Sequence, residues 1–157
     1  MDMREELLRE AIRLALRGME AGEGGPFGAV VARGGEIIGR GWNRVVGAND
    51  PTAHAEIIAI RDACSRLASY SLHGCALYAS CEPCPMCLAA IYWARIDFIC
   101  YAASRDDAAA AGFDDRRFYE ELAQPAARRS IPARQALRAE GSRPLTAWLA
   151  KPNRVAY

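Results

Sequence analysis

Charge of a single sign is the first thing this sequence lacks: twenty lysine and arginine residues stand against nineteen acidic ones, a formal net charge of +1. A chain built to hold a polyanion carries a basic surplus, so a nucleic-acid partner is not expected from this balance, although a total does not exclude a local patch. Long apolar runs are missing too, and nothing approaches the roughly 18 consecutive apolar residues that mark a membrane span. The opening Met1-Asp2-Met3-Arg4-Glu5-Glu6 carries both signs of charge, where a secretory signal is basic and then apolar. A cytoplasmic location is therefore expected. Internal repeats and low-complexity linkers are absent, which leaves residues 1–157 as one domain; the pattern loosens only at Pro125-Ala126-Ala127-Arg128-Arg129. Disulfides are not expected. Three of the six cysteines crowd into Cys81 to Cys87, and Cys64, Cys75 and Cys100 sit in apolar stretches, as reduced core thiols do.

What is present suits a small folded enzyme. Hydrophobic residues make up 52% of the chain, enough for a real core. Leu7, Leu8, Ala11, Ile12, Ala15, Leu16 and Met19 recur at helical spacing before the break Gly22-Glu23-Gly24-Gly25-Pro26. Phe27 to Arg33 and Glu36 to Trp42 flank Gly34-Gly35, a two-residue hairpin signal, so they are predicted to pair antiparallel and to leave Asn43 at a strand end. Asp50-Pro51-Thr52 predicts a turn and a helix N-cap, with Ala53, Ile57, Ile60, Cys64 and Leu67 as the buried stripe and His54 and Glu56 in the first turn. Ala76 to Ser80 and Phe98 to Ala102 bracket another helix, the βαβ pattern of a parallel strand pair. The remainder is mainly helical, including Arg116 to Leu122 and Leu145 to Ala150. The expected class is α/β, with two helix N-termini converging at one edge of the sheet.

Chemistry concentrates in two short motifs. Thr52-Ala53-His54-Ala55-Glu56 and Pro83-Cys84-Pro85-Met86-Cys87 supply an imidazole, two thiolates and a carboxylate placed beside them. Structural zinc is closed by four protein ligands, whereas three leave a position for water, whose pKa the metal lowers from about 15.7 to roughly 7. A neighbouring carboxylate can take that water's proton and deliver it to a leaving amine, which is the chemistry of zinc-dependent base deaminases and their HxE and PCxxC signature. Alternatives exist for each motif alone. A lone CxxC can be a redox pair or half of a zinc knuckle, and a lone His opening a helix is most often a first-turn residue. Cys81, Cys84 and Cys87 also match the start of an iron–sulfur run, but the fourth cysteine of that run does not follow. The two motifs occurring together favour the catalytic site. Pro83 at a helix start is predicted to put Cys84 and Cys87 on one face near the positive end of the helix dipole.

In order along the chain, Gly24-Gly25-Pro26-Phe27-Gly28-Ala29-Val30, Asn49 to Glu56, Ser80-Cys81-Glu82-Pro83-Cys84-Pro85-Met86-Cys87, Ile91-Tyr92-Trp93-Ala94-Arg95 and Ala111-Gly112-Phe113-Asp114-Asp115 resemble the cytidine deaminase-like superfamily. The zinc motif specifies only that superfamily; Gly-Phe-Asp-Asp and the terminal tyrosine resemble its branch of small bacterial guanine deaminases. The resemblance implies a three-layer α/β/α sandwich with a central mixed sheet and a carboxy-terminal helical segment. It implies one Zn2+ held by His54, Cys84 and Cys87, with Glu56 as the catalytic proton shuttle. It also implies a substrate site in which Asn43 and Asp115 hold the base beside Ala55, Phe27 and Trp93 pack on its ring, and Tyr157 helps close the pocket. The implied reaction is hydrolysis of guanine to xanthine and ammonia by attack of zinc-bound hydroxide at C2. A homodimer that exchanges residues 125–157, hinged near Pro125, is implied as well.

The roles fit the chemistry of a purine, a flat apolar disc with polar edges. An ionised Asp115 can only accept, which suits a ring N–H, while Asn43 can donate and accept. Simpler readings remain open: Asn43 ends a strand, Asp114 or Asp115 caps the next helix, and Phe27 and Trp93 are core. Among substrates, guanosine is the nearest alternative. A tRNA adenosine deaminase is another, because Gly41-Trp42-Asn43 followed by Asp50-Pro51-Thr52-Ala53-His54-Ala55-Glu56 resembles that family too. Such an enzyme should carry a basic carboxy-terminal helix, whereas Asp106, Asp107, Asp114, Asp115, Glu120 and Glu121 offset the arginines here. A zinc-binding module without turnover would leave Glu56 without a purpose.

Overall fold

A computed structural model describes residues 3–157; Met1 and Asp2, which open the charged amino terminus, lie outside the described residues. Two compact units divide the chain, Met1–Asp115 and Arg116–Tyr157. In the first, the elements run α1 (Met3–Glu20), β1 (Gly28–Arg33), β2 (Glu36–Trp42), α2 (Val45–Ala48), α3 (Ala55–Leu67), β3 (Ala76–Cys81), α4 (Pro85–Trp93), β4 (Phe98–Ala103) and α5 (Arg105–Ala110). The four strands form one mixed sheet in the order β2-β1-β3-β4. β1 pairs antiparallel with both β2 and β3, the former across Gly34-Gly35 with a bulge at Val31/Ala32, and β3 pairs parallel with β4.

The period of two along each strand divides the core between the faces. Ala29 and Val31 of β1 and Leu77 and Ala79 of β3 join Ala55, Ala59 and Ala63 of α3 and Ile91 of α4 on one face. Val30 and Ala32 of β1 and Tyr78 of β3 meet Leu7 and Leu14 of α1 on the other. The three-layer α/β/α arrangement follows from that alternation, and among the described residues no helix is long and apolar enough to cross a membrane.

The stripe that α3 buries is centred elsewhere than expected, although Ala53 is buried and Ile60, Cys64 and Leu67 do pack against the core. Ala55, Ala59 and Ala63 are fully buried, while Ile57, Ile60, Cys64 and Leu67 are only partly so. The cause lies on β2. A Cβ at Gly39 or Gly41 would run into the α3 backbone at Ala59 or Ala55, so α3 lies directly on the strand and only alanine fits between them.

Both helix starts also differ from expectation. The hydroxyl and N–H of Thr52 donate to Asp50 Oδ1 at 2.7 and 2.8 Å, closing an Asx turn, so His54 and not Thr52 is the N-cap of α3. His54 thus stands just before the first turn. Pro85, not Pro83, opens α4, because Cys84 is extended (φ −67°, ψ 168°) and serves as its N-cap.

The second unit comprises α6 (Arg116–Ala123), a 3-10 turn at Ala126–Arg128, α7 (Arg138–Gly141), α8 (Arg143–Ala150) and a tail to Tyr157. Ser130 folds back on α6, donating its N–H to Glu121 and accepting from Arg117. No side chain in this unit is buried.

Candidate active site

Two N-caps bring the site together. His54 precedes α3 and Cys84 precedes α4, both in extended backbone, and neither side chain caps its own helix. Their polar atoms are thereby left for each other. His54 Nδ1 lies 3.5 Å from Cys84 Sγ and 3.5 Å from Cys87 Sγ, and the three donor atoms fall within 4.8 Å of one another. Bonds of about 2.1 Å to nitrogen and 2.3 Å to sulfur put tetrahedral zinc donors about 3.6 Å apart, so this imidazole and two thiols fit zinc in kind and in spacing.

The thiols differ sharply in acidity. The Cys87 thiol lies within hydrogen-bond reach of the Cys84 sulfur, and with His54 beside it Cys84 is pulled down to about 4, while the same contact pushes Cys87 well up. Contact with Cys84 raises His54 in turn. Zinc takes thiolates and a neutral imidazole, so binding here would release the protons these groups share. Glu56, at the second position of α3 and only 7% exposed, is pushed above the ordinary carboxyl range by burial. Cys81 is separate. Its thiol donates to Ser104 O at 3.4 Å, burial pushes it up to about 11, and it is not among the three grouped donors.

Asn43 is buried and half engaged. Its Oδ1 accepts the N–H of Gly25 and of Val45, each at 3.2 Å, and its own N–H donates to Phe27 O at 2.9 Å. Two backbone donors fix the amide's orientation and fill the oxygen, so the side chain has donors left and no acceptor. Arg44 N–H donates to Ala53 O at 2.9 Å, tying this loop to the residue before His54.

Asp115 is half-buried, raised by burial and then by the charge of Cys84, which marks it as a neighbour of the donor group. Ala55 is fully buried at the first position of α3. Phe27 meets Phe113 edge to face at 4.9 Å. Phe113 and Gly25 are the residues that sequence reasoning missed. Phe113 was visible only as a letter of Gly-Phe-Asp-Asp, and Gly25 only as a letter of the glycine-rich break and of the segment Gly24 to Val30, with no role of its own. Trp93, in contrast, ends the nine-residue α4, about 13 Å along the helix from Cys84 and about 9 Å from Cys87, and is 63% exposed. Tyr157 belongs to the second unit.

This fold and donor set define a class: the chain belongs to the cytidine and deoxycytidylate deaminase zinc-binding family, whose model matches residues 1–103. Within that class it is 52% identical to the guanine deaminase of Bacillus subtilis over 153 residues, 98% of either chain. The X-ray structure of that enzyme superposes with a TM-score of 0.94. A tRNA-specific adenosine deaminase of Aquifex aeolicus is 45% identical over 100 residues, 64% of this chain and 66% of that one. The structure of a guanine deaminase from Nitrosomonas europaea is 35% identical, with a TM-score of 0.67, over 70% of this chain and 64% of that one.

Proposed function

We propose that the chain is a zinc-dependent guanine deaminase, converting guanine and water to xanthine and ammonia. The observation that carries this is the His54, Cys84 and Cys87 donor triangle with buried Glu56 beside it, in a chain that follows the Bacillus subtilis enzyme from end to end. His54, Cys84 and Cys87 would hold the zinc, which when bound supplies a water acidified to a pKa of roughly 7. Glu56 moves the proton. Its carboxylate takes one proton from the attacking water and gives it to the ring nitrogen beside C2, then takes the second from the hydroxyl now on C2 and gives it to the departing 2-amino group, so that the C2–N bond breaks as C2=O forms and ammonia leaves. A carboxyl whose pKa burial has raised is suited to both directions of transfer.

The remaining residues hold the base. Asn43 donates its free amide hydrogens to a ring acceptor, and Asp115 accepts a ring N–H. Phe27, braced by Phe113, forms a wall, and Ala55 offers a first-turn N–H with no intrahelical acceptor. Trp93 and Tyr157 are assigned to the pocket of a second copy, Trp93 because it is exposed at the end of α4 away from Cys84. A homodimer that exchanges the carboxy-terminal segment completes this proposal. α4 has no charged residue, yet Met86, Tyr92 and Trp93 are exposed, and the second unit buries no side chain. Residues 116–157 carry nine basic and three acidic side chains, +6, and the rest of the chain eleven and sixteen, −5. Such opposite charges favour pairing between copies. With all six cysteines free, the expected setting is the reducing cytoplasm and the role a step of guanine catabolism.

The +6 balance also favours one second reading, deamination of adenosine in tRNA, since a charge total over the whole chain conceals it. One experiment tests both: ammonia release from the zinc-loaded protein with guanine, guanosine, adenine, cytosine or a tRNA. Release from guanine alone is expected, and release from tRNA alone would replace the proposal.

A further inference from the structure

Glu23 lies in the glycine-rich break after α1, outside every motif discussed above, and its contacts converge on Asn43. Its Oε2 accepts Trp42 Nε1–H at 2.9 Å and Arg44 Nε–H at 2.9 Å, so one carboxylate oxygen holds both sequence neighbours of Asn43. Its backbone carbonyl accepts the N–H of Val46 at 3.1 Å and of Gly47 at 2.8 Å, and its own N–H donates to Gly18 O of α1 at 3.0 Å. The next residues continue the clasp. Gly25 N–H donates to Asn43 Oδ1, and a Cβ at Gly24 would collide with that same oxygen. Trp42 is held on its far side by Arg17, whose guanidinium lies 5.1 Å from the ring centre. Residues 23–25 therefore wrap 42–47, and the one charged group in the wrap is the Glu23 carboxylate.

We propose that Glu23 is a positioning residue for substrate recognition, acting through Asn43: by pinning Trp42 and Arg44 it keeps the Asn43 amide hydrogens aimed at the base. The proposal rests on Asn43 holding the base. An amide fixed only by its own two N–H acceptor bonds can still tilt with its strand end. Hydrogen bonds to a charged acceptor on both flanks remove that freedom. Placement matters because a misplacement on the order of 1 Å in a positioned group can cost about 100-fold in rate. Since the Glu23 side chain is 31% exposed and Arg44 48%, solvent weakens the clamp and the effect should be smaller than that.

The test is a double-mutant cycle in the zinc-loaded enzyme with guanine as substrate, using Glu23→Ala, Glu23→Gln, Asn43→Ala and the Glu23→Ala/Asn43→Ala double variant. Glu23→Ala is expected to raise KM about 5- to 10-fold with kcat within about twofold, and zinc content and Tm near those of the parent. Glu23→Gln, which keeps a neutral acceptor for Trp42, should recover part of the loss. Calorimetric Kd values for xanthine should shift with KM. In the Asn43→Ala background, Glu23→Ala should change kcat/KM by less than about twofold, because its route to the base has been removed. An equal loss from Glu23→Ala in both backgrounds would overturn the proposal, as would a parental KM in Glu23→Ala beside a raised KM in Asn43→Ala. A parental KM in Asn43→Ala would overturn the role of Asn43 and this proposal with it.

Discussion

Cys81, Cys84 and Cys87 are spaced alike, yet their surroundings give them different chemistry. Cys84 and Cys87 each face His54 Nδ1, whereas Cys81 spends its thiol hydrogen on Ser104. Metal analysis should therefore find about one zinc per chain in Cys81→Ser and a depleted Cys84→Ser. Glu56→Gln keeps the size of the buried side chain but cannot carry a proton. It should retain fold and zinc and lose turnover by about 10⁴-fold or more, since general acid–base groups contribute about 10²–10⁴-fold and this one serves two transfers. Activity within tenfold of the parent would remove Glu56 from the mechanism. Asp115→Asn should lower kcat/KM for guanine by about 10- to 150-fold, corresponding to roughly 1.5–3 kcal/mol for a lost charged hydrogen bond, with zinc unchanged. If the loss appears in Asp114→Asn instead, the assignment is out of register by one. The candidate metal-binding residues were legible because the chain has only two histidines and six cysteines, and His54, Cys84 and Cys87 fall in two short motifs. The half-used amide of Asn43 was not, since it depends on Gly25 and Val45 N–H groups that only the folded loop delivers.

Elements were legible where turn chemistry is local. Gly34-Gly35 marks the hairpin between β1 and β2, with both glycines at positive φ, and the crossover between β3 and β4 follows from the intervening helix. Less legible was what each helix presents to the sheet, because α3 is governed by glycines on another strand. Gly41→Val should push α3 off β2, lowering stability by about 1–3 kcal/mol. Because His54 and Glu56 ride on the start of α3, zinc affinity should fall with it, whereas Gly34→Ala, at a turn with nothing near the new methyl, should cost stability without affecting zinc. α5 provides a pH test. The Ser104 N–H and hydroxyl hold the Asp107 carboxyl below its ordinary range in a reciprocal capping box. A depressed folded value means the contribution is complete above about pH 4 and is lost as pH falls through the lower value. Tm measured from pH 5 to 3 should accordingly fall less steeply in Asp107→Asn than in the parent.

At the scale of the whole molecule, the seven residues from Lys151 to Tyr157 look like a dispensable exposed terminus. A lid that completes a neighbour's pocket behaves differently: its removal lowers kcat and raises KM together. Deleting those residues should leave a folded, zinc-loaded protein with severely reduced guanine deamination, and mixing it with the Asp115→Asn chain should restore activity in hybrid dimers. Turnover at the parental rate would make the tail only a tail. The sheet and its flanking helices could be read from periodicity. The division at Asp115 could not be read from periodicity, because residues 116–157 continue the helical pattern; what changes there is the charge balance, from −5 before residue 116 to +6 after it. All three zinc-site donors and Glu56 lie before that border, on helices that share one core. For a lineage, this is a separation of inheritance: the reactive machinery and its scaffold can be transmitted intact while everything after Asp115 is rewritten. A new substrate can then be acquired by replacing one end of the chain, and the cleavage chemistry need not be invented twice.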